Sequence, residues 1–501
     1  MKIGLIPLDE RPANTRYPAM IAAIAGAQFA LPPPEILSAL RHPADCAALA
    51  QWLDQAAPTL DGLIVSCEML GYGSLIASRT SDEPAGAILA RLDVLRAIKR
   101  QHPRLPIFGF SLITRVSQAN DAAEEPAYWA TYGARLYQLS ELLDRQQQGQ
   151  PVGSGIDMLL AAIPRTQRND FLRRRLRNHA VNLALLQMLA DDVFDLLVLS
   201  SDDTSPFGLP SREKHWLRAW ADMLALGERL LMYPGADEVG CALLARLLNT
   251  HAGVTPTFAV AYAPPAAVAN IAAYEDGPIQ VTVERQIRAV GGQLVAQDAD
   301  IWVGVNAPVT RRSEWALEFA DAERTTRLAA LHALVDMAVQ QQAQGTPVVI
   351  ADVAYPNGAD PALVDLLRAQ VQLPALAAYG AWNTAGNTIG TALAQACAVQ
   401  MIASATQRQA HERFLLHRLL EDWGYQQLVR AAVRDWLRTE HGLAEPNAAT
   451  LAATQARVAQ RLDALIAQLP GFAQRYRLAP GSVRLPWART FEVDFELEAR
   501  G

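Results

Sequence analysis

The sequence predicts an α/β fold: a (β/α)8 TIM-barrel-like domain followed by a mainly helical C-terminal appendage, with a doubly wound parallel sheet as the alternative. Three observations predict it. Short apolar runs recur that stop abruptly at polar residues, and segments with apolar residues three and four apart fill the gaps between them. Past about Ala403 the character changes to long stretches rich in Ala, Leu, Arg and Gln. The corresponding boundaries are 1–402 for a catalytic α/β domain and 403–501 for a helical region ending in a strand.

The strands are expected in this order. Lys2 to Leu8 runs into Asp9-Glu10-Arg11, Gly62 to Ser66 into Cys67-Glu68, Pro106 to Ile113 into Thr114-Arg115, and Leu196 to Ser200 into Ser201-Asp202-Asp203. Leu230 to Tyr233 precedes Asp237-Glu238; Thr257 to Tyr262 and Ile301 to Val305 follow. Pro347 to Ile350 precedes Asp352, and Leu376 to Tyr379 precedes Trp382-Asn383. Continuous apolar runs suit strands covered on both faces, as in a parallel sheet. Helices are expected over Ala85 to Gln101, Asn169 to Ala190, Ser211 to Leu226, Val239 to Thr250 and Arg324 to Gln342. The alternation in Arg489-Thr490-Phe491-Glu492-Val493-Asp494-Phe495 predicts the final strand.

With 501 residues, 51% of them hydrophobic and 19% charged, the chain can bury a large core. A formal net charge of −7 and scattered arginines argue against a nucleic-acid partner. The richest basic run, Arg173, Arg174, Arg175 and Arg177, reads as a solvated helix face. Four cysteines without a CxxC pair read as reduced core thiols. The opening apolar run is too short for a signal segment, and no stretch approaches a membrane span, so a cytoplasmic location is expected.

Either fold gathers functional residues on the loops that follow the strands. The most informative segment is the strand end carrying Asp202 and Asp203. Two adjacent acids separate their pKa values, so one can stay protonated while the other stays ionised, which makes this pair the catalytic candidate. The alternative reading is that one of them caps the next helix. Asp237 and Glu238 form a second acidic pair, at a place where a helix N-terminus also favours acids. Trp382 offers an apolar platform for a sugar ring, and Asn383 and Asn387 offer amides to hydroxyl or acetamido groups. Asp352 and Asn357 follow another strand and read equally as Asx-turn residues. Asp9, Glu10, Arg11, Glu68, Arg115 and Asn120 complete the substrate-binding ring, its arginines serving as counter-ions or anion grips.

The nine histidines fall mostly on expected helices and loops away from strand ends, and no HExxH occurs. There is no P-loop, no GxGxxG after a strand and no GxSxG elbow. No metal ligand set and no cofactor are therefore assigned, although oxygen ligands from several strand ends would suffice for Mg²⁺ or Mn²⁺.

Several segments together resemble a bacterial family known as domain of unknown function 4127. They are Ile6-Pro7-Leu8-Asp9-Glu10-Arg11-Pro12, Ser117-Gln118-Ala119-Asn120-Asp121 with Glu125-Pro126, and Asp202-Asp203-Thr204-Ser205-Pro206-Phe207-Gly208. Pro234-Gly235-Ala236-Asp237-Glu238 and Trp382-Asn383-Thr384-Ala385-Gly386-Asn387 complete the set, which spans nearly the whole chain. The resemblance implies no activity, so function has to be argued from the site.

Paired carboxylates, a sugar-binding aromatic and amides, without a cofactor, are the inventory of a glycoside hydrolase acting on a glycoside or N-acetylhexosaminide. The adjacent acids look like the pair of substrate-assisted N-acetylhexosaminidases, with Asp202 orienting the acetamido group and Asp203 protonating the leaving oxygen. Neighbours on a strand point to opposite faces, so both serve only if the chain turns after Ser201. Two alternatives stand beside this reading. One is a divalent-metal-dependent enzyme on a phosphorylated or carboxylated small molecule, with Asp9, Asp202, Asp203 and Asp237 as ligands and Arg11 or Arg115 gripping the anion. The other is a non-catalytic sugar-binding protein. The expected partner is a small-molecule or oligosaccharide substrate, with no nucleic acid and no membrane; homo-oligomerisation is left open.

Overall fold

The computed structural model describes residues 1–202, 204–308 and 324–500. Two compact units make up the chain: Met1–Glu10 with Ala27–Gly240 and Tyr274–Asp276, and Arg11–Gly26 with Cys241–Ala273 and Gly277–Gly501.

The first unit carries β1 (Lys2–Ile6), β2 (Gln28–Ala30), β3 (Gly62–Ser66), β4 (Ile107–Ile113), β5 (Leu196–Ser201) and β6 (Leu230–Pro234). Every pairing is parallel, in the order β2-β1-β3-β4-β5-β6. β3, β4, β5 and β6 are buried along their whole length, which is why they are written as unbroken apolar runs. β2 is a short edge strand with the mixed sequence QFA and shows no such run.

The second unit carries β7 (Thr257–Ala263), β8 (Gln293–Leu294), β9 (Ile301–Asn306), β10 (Val348–Asp352) and β11 (Ala378–Gly380), again all parallel, in the order β11-β10-β9-β7-β8. Counted from its own first strand, each sheet contains the order 2-1-3-4-5 of a doubly wound open sheet. The nine strands expected before residue 403 are present, but they form two sheets with edges, and closure into an eight-stranded barrel is not shown.

The helices beyond residue 403 share a core with the second sheet: Leu415, Leu420, Trp423, Val433, Leu462 and Phe472 belong to the same buried cluster as Trp302, Val348 and Ile350. The strand expected over Arg489 to Phe495 is absent. Side chains take the backbone groups a neighbouring strand would have taken: Thr490 N donates to Glu445 Oε2 at 2.6 Å, and Tyr425 OH donates to Thr490 O at 2.9 Å. Gln426 Nε2 donates to Phe491 O at 2.8 Å. The strand that does form, β13 (Leu497–Ala499), follows this segment and pairs antiparallel with β12 (Tyr476–Leu478). The helix expected over Ala85 to Gln101 is split at Asp93 into Ala85–Leu92 and Val94–Gln101. Among the described residues no helix is long and apolar enough to cross a membrane.

Gly109 on β4 illustrates how the core of the first unit fixes sequence. A Cβ added there would stand 2.5 Å from Phe194 Cε1, and Phe194 is fully buried. Phe194→Ala is expected to cost about 3–5 kcal/mol and Gly109→Ala about 1–3 kcal/mol in urea denaturation. The double variant should cost less than their sum, because the added methyl enters the space the ring vacates; strict additivity would contradict this packing.

Candidate active site

In the first unit the carboxyl ends of β1, β3, β4, β5 and β6 present Asp9 and Glu10, Glu68, Arg115, Asp202, and Asp237 and Glu238 at one edge of the sheet. The doubly wound order locates the ligand crevice of such sheets at this edge. Asp203 lies outside the described residues.

The centre of the ion-pair network is Arg79, 5% exposed, from the helix Leu75–Thr80. Its guanidinium pairs through Nη2 with Asp202 and through Nη1 with Glu124 at 2.9 Å, and it lies 4.0 Å from Glu125 Oε1. Arg115 approaches the same two glutamates, at 3.1 Å from Glu124 and 3.5 Å from Glu125. Glu125 is 5% exposed, and its Oε1 has no hydrogen bond. Burial pushes its carboxyl above the ordinary glutamate range, against the pull of Arg79 and Arg115. Three carboxyl groups, Asp202 and Glu124 in direct contact with the guanidinium and Glu125 at its margin, thus share one cation.

Arg175 and Arg177 correct the expectation of a solvated basic face: both are buried. Arg175 makes a two-point pair with Glu213 at 2.8 and 2.7 Å and donates to Thr114 O, holding the exit of β4. Arg177 donates to Ser78 O at 2.6 Å, on the helix that carries Arg79.

Glu68 begins a π-helical turn, Glu68–Tyr72, directly after β3. Its Oε1 accepts from Leu112 N at 2.8 Å and lies 2.8 Å from Ser111 Oγ. Ser111 Oγ also lies 2.9 Å from Asn182 Oδ1, whose amide nitrogen is committed to Leu112 O. One hydroxyl proton cannot serve both acceptors; a protonated Glu68 donating to Ser111 satisfies the count. Burial pushes the Glu68 carboxyl up to about 7, against the hydrogen bond it accepts from Leu112 N and the hydroxyls beside it.

Glu10 accepts from Leu40 N at 2.6 Å and from Ser38 Oγ. Glu238 folds back to accept from Ala236 N at 2.9 Å. That fold requires glycine at 235, where φ is +155° and a Cβ would stand 2.0 Å from Glu238 Oε1. Asp9 and Asp237 are buried. Asn120 is exposed and accepts from Ala134 N at 2.9 Å, away from the Arg79 network.

The second unit holds Arg11, Asp352, Asn357, Trp382, Asn383 and Asn387. Asp352 accepts from Asn306 Nδ2 at 2.8 Å and from Asp360 N at 2.6 Å, while Arg327 pairs with Asp360 at 3.1 Å. Burial, then the charge of Asp360, pushes Asp352 up to about 7. Asn357 and Asn383 both adopt left-handed backbone, at φ 54° and 61°, and Asn357 N donates to Asn383 O at 3.0 Å. These two loop residues therefore brace each other in a conformation asparagine tolerates. Trp382 is buried, its ring 6.1 Å from that of Phe491. Asn387 is buried in the first turn of the helix Ala385–Val399, where its N–H meets the Thr384 cap at 3.4 Å. Arg11 lies over Trp487 and 3.9 Å from Glu492. Among the described residues no group of three or more His, Cys, Asp or Glu is placed to hold a metal ion.

Residues 3–496 match the family described as protein of unknown function, DUF4127. The chain belongs to this family. No curated protein matches it. Among solved structures, the glycoside hydrolase family 5 mannosidase from Rhizomucor miehei is a weak neighbour in two forms. A mutant form shows 9% identity and a TM-score of 0.20, over 74% of this chain and 90% of that one. The other form shows 10% identity and a TM-score of 0.19, over 72% and 88%. Likeness at that level transfers neither fold nor activity.

For this DUF4127 chain, Arg79 and Glu124 escaped the reading of the sequence, and Glu125 was noticed only as part of a family segment. Arg79 sits on a helix with no strand end beside it, and nothing local marks it. Glu124-Glu125-Pro126 does carry a signal: a paired acid in the loop following a strand.

Glu68 yields a pH prediction. Its folded pKa of about 7 lies above the ordinary 4.5, so the folded state keeps a proton that the unfolded chain releases. The stabilisation is complete below the unfolded pKa and is lost as pH rises through about 7. Relative to Glu68→Gln, the native chain should lose about 3 kcal/mol between those limits, read by urea denaturation across pH. Parallel pH profiles for the two proteins would contradict the assignment.

Proposed function

We propose that this chain is a glycoside hydrolase working by carboxylate acid/base chemistry, with Glu125 as the proton donor and Asp202 as the ionised partner. One observation carries the reading: Glu125 is buried, its Oε1 lacks a hydrogen bond, and it sits at the edge of a guanidinium whose direct partners are Asp202 and Glu124. Glycosidic cleavage needs one carboxyl held as an acid and one held as a carboxylate, with no cofactor. Desolvation raises the first, and Arg79 pairs with the second. Arg115, partly exposed beside Glu124 and Glu125, is the group placed to meet substrate at the rim. Asp203 keeps its candidacy as the acid of a substrate-assisted pair and is tested alongside.

The test is hydrolysis of a panel of aryl glycosides, including N-acetylglucosaminides and N-acetylgalactosaminides, with and without EDTA. Turnover should survive EDTA and fall about 10²–10⁴-fold in Glu125→Gln. The loss should shrink for substrates with acidic phenol leaving groups, which need no proton. Asp202→Asn should lose activity on all of them, and Asp203→Asn distinguishes the adjacent-acid arrangement. Absence of turnover on every sugar, or turnover indifferent to both Glu125→Gln and Asp202→Asn, would overturn the proposal.

A further inference from the structure

A small cavity lies within the second unit, between the helices Arg16–Ile24 and Ala405–Arg418. Spacings of three and four put Arg16, Met20 and Ala23 on one face of the first helix and Ala410, Arg413 and His417 on one face of the second, and these two faces line it. Glu496 and Leu497, from the C-terminal segment, complete the wall. The volume of about 280 Å³ is just below the roughly 300–1,000 Å³ of sites for drug-sized ligands, so the occupant is small.

Two polar groups in this wall are buried without a partner. His417 is 1% exposed, and neither of its ring nitrogens makes a hydrogen bond. Its ring is fixed by Phe495, stacked at 4.2 Å, and by Tyr17, edge-on at 5.4 Å; Glu421 Oε2 stands 3.7 Å from Nε2, beyond hydrogen-bond reach. Burial, reinforced by the charges of Arg16 and Arg418, holds the imidazole well below the usual histidine range, so it is neutral and presents one N–H. Arg413 Nε is likewise buried and unbonded, and among the described residues Arg413 pairs with no acid. Native folds seldom leave two such donors unmet side by side, and what both lack is an acceptor.

The rest of the wall narrows the kind of acceptor. Arg16 is already matched by Asp494 at 2.9 Å, which leaves Arg413 as the cation of this wall without a counter-charge, and the site therefore suits a single negative charge. Glu496, exposed at the rim, disfavours a dianion such as phosphate. Met20, Ala23, Ala410 and Leu497 offer only apolar surface to the remainder of the ligand.

We propose that this cavity binds a small carboxylate with a short aliphatic body, the carboxylate accepting from Arg413 and His417 and the body lying against Met20 and Leu497. None of these residues belongs to the Arg79 network, so the site stands independently of the activity proposed for the first unit.

Isothermal titration calorimetry of the full chain with 4-methylpentanoate, and with leucine, the same skeleton carrying an ammonium group, tests this. At least one of them should bind saturably in the submillimolar range. Arg413→Gln should weaken that binding at least about tenfold. Ala410→Leu, which fills the cavity without removing a donor, should abolish it, with far-ultraviolet circular dichroism unchanged in both variants. His417→Gln should weaken it as well; if that variant fails to fold, the two half-buried positions Ala410 and Arg413 decide the matter. Glu496→Gln separates the two sources of the carboxylate: a loss confined to leucine identifies an amino acid as the ligand, and indifference identifies a plain carboxylate. Absence of saturable binding for both compounds up to about 10 mM would overturn the proposal. So would binding undiminished in both Arg413→Gln and Ala410→Leu.

Discussion

Parallel strand direction is the constraint from which the rest of each unit follows. Because every pairing within the two principal sheets is parallel, the carboxyl ends of the strands lie on one edge of each sheet, and most of the interior strands are buried. A strand covered on both faces has no position for a charge along its length, so polar chemistry collects where the strands stop. Glu68, Arg115, Asp202 and Asp237 appear there in the first unit, and Asn306 and Asp352 in the second. Each unit places its polar groups by the same rule, although their partners differ.

Burial then decides what those groups become. A buried charge is costly unless paired, and most here are: Asp202 with Arg79, Glu213 with Arg175, Asp360 with Arg327. Several carboxyls are held differently, among them three at the sites described above. Glu68 is surrounded by hydroxyl, amide and backbone groups with no cation in contact, Asp352 is crowded by Asp360, and Glu125 sits at the margin of two arginines already engaged by Glu124 and Asp202. In all three, removal from water outweighs the local stabilisation and the acid form is favoured. Of these, Glu125 shares the Arg79 network with Asp202, and two carboxyls in one small network are what acid/base chemistry requires.

The sequence was legible where a single strand states its own environment. The buried strands read as apolar runs, and the acids at their ends could be named from the sequence. Short edge strands were not legible: β2 and β8 are partly or wholly exposed, and nothing in QFA or QL demands a sheet. Groups defined by distant partners were hidden as well. Arg79 gains its meaning from Asp202, which lies 123 positions away. Arg175 and Arg177 looked like a wet basic face because the glutamate and carbonyls that take them inside are remote in sequence. The alternation at Arg489 to Phe495 satisfied the pattern of a strand, but Glu445, Gln426 and Tyr425 occupy the backbone groups a ladder would need. Two successive parallel sheets and one closed barrel also share the same linear pattern, because the order of elements does not say which strands are edges.

The claim on which the functional account turns is that burial holds the Glu125 carboxyl above the ordinary glutamate range. Infrared titration of the carboxyl bands, comparing the native protein with Glu125→Gln and Asp202→Asn, measures this directly. The account predicts a protonated carboxyl band that disappears in Glu125→Gln and titrates above the ordinary glutamate range. A Glu125 that ionises in the ordinary range would contradict it.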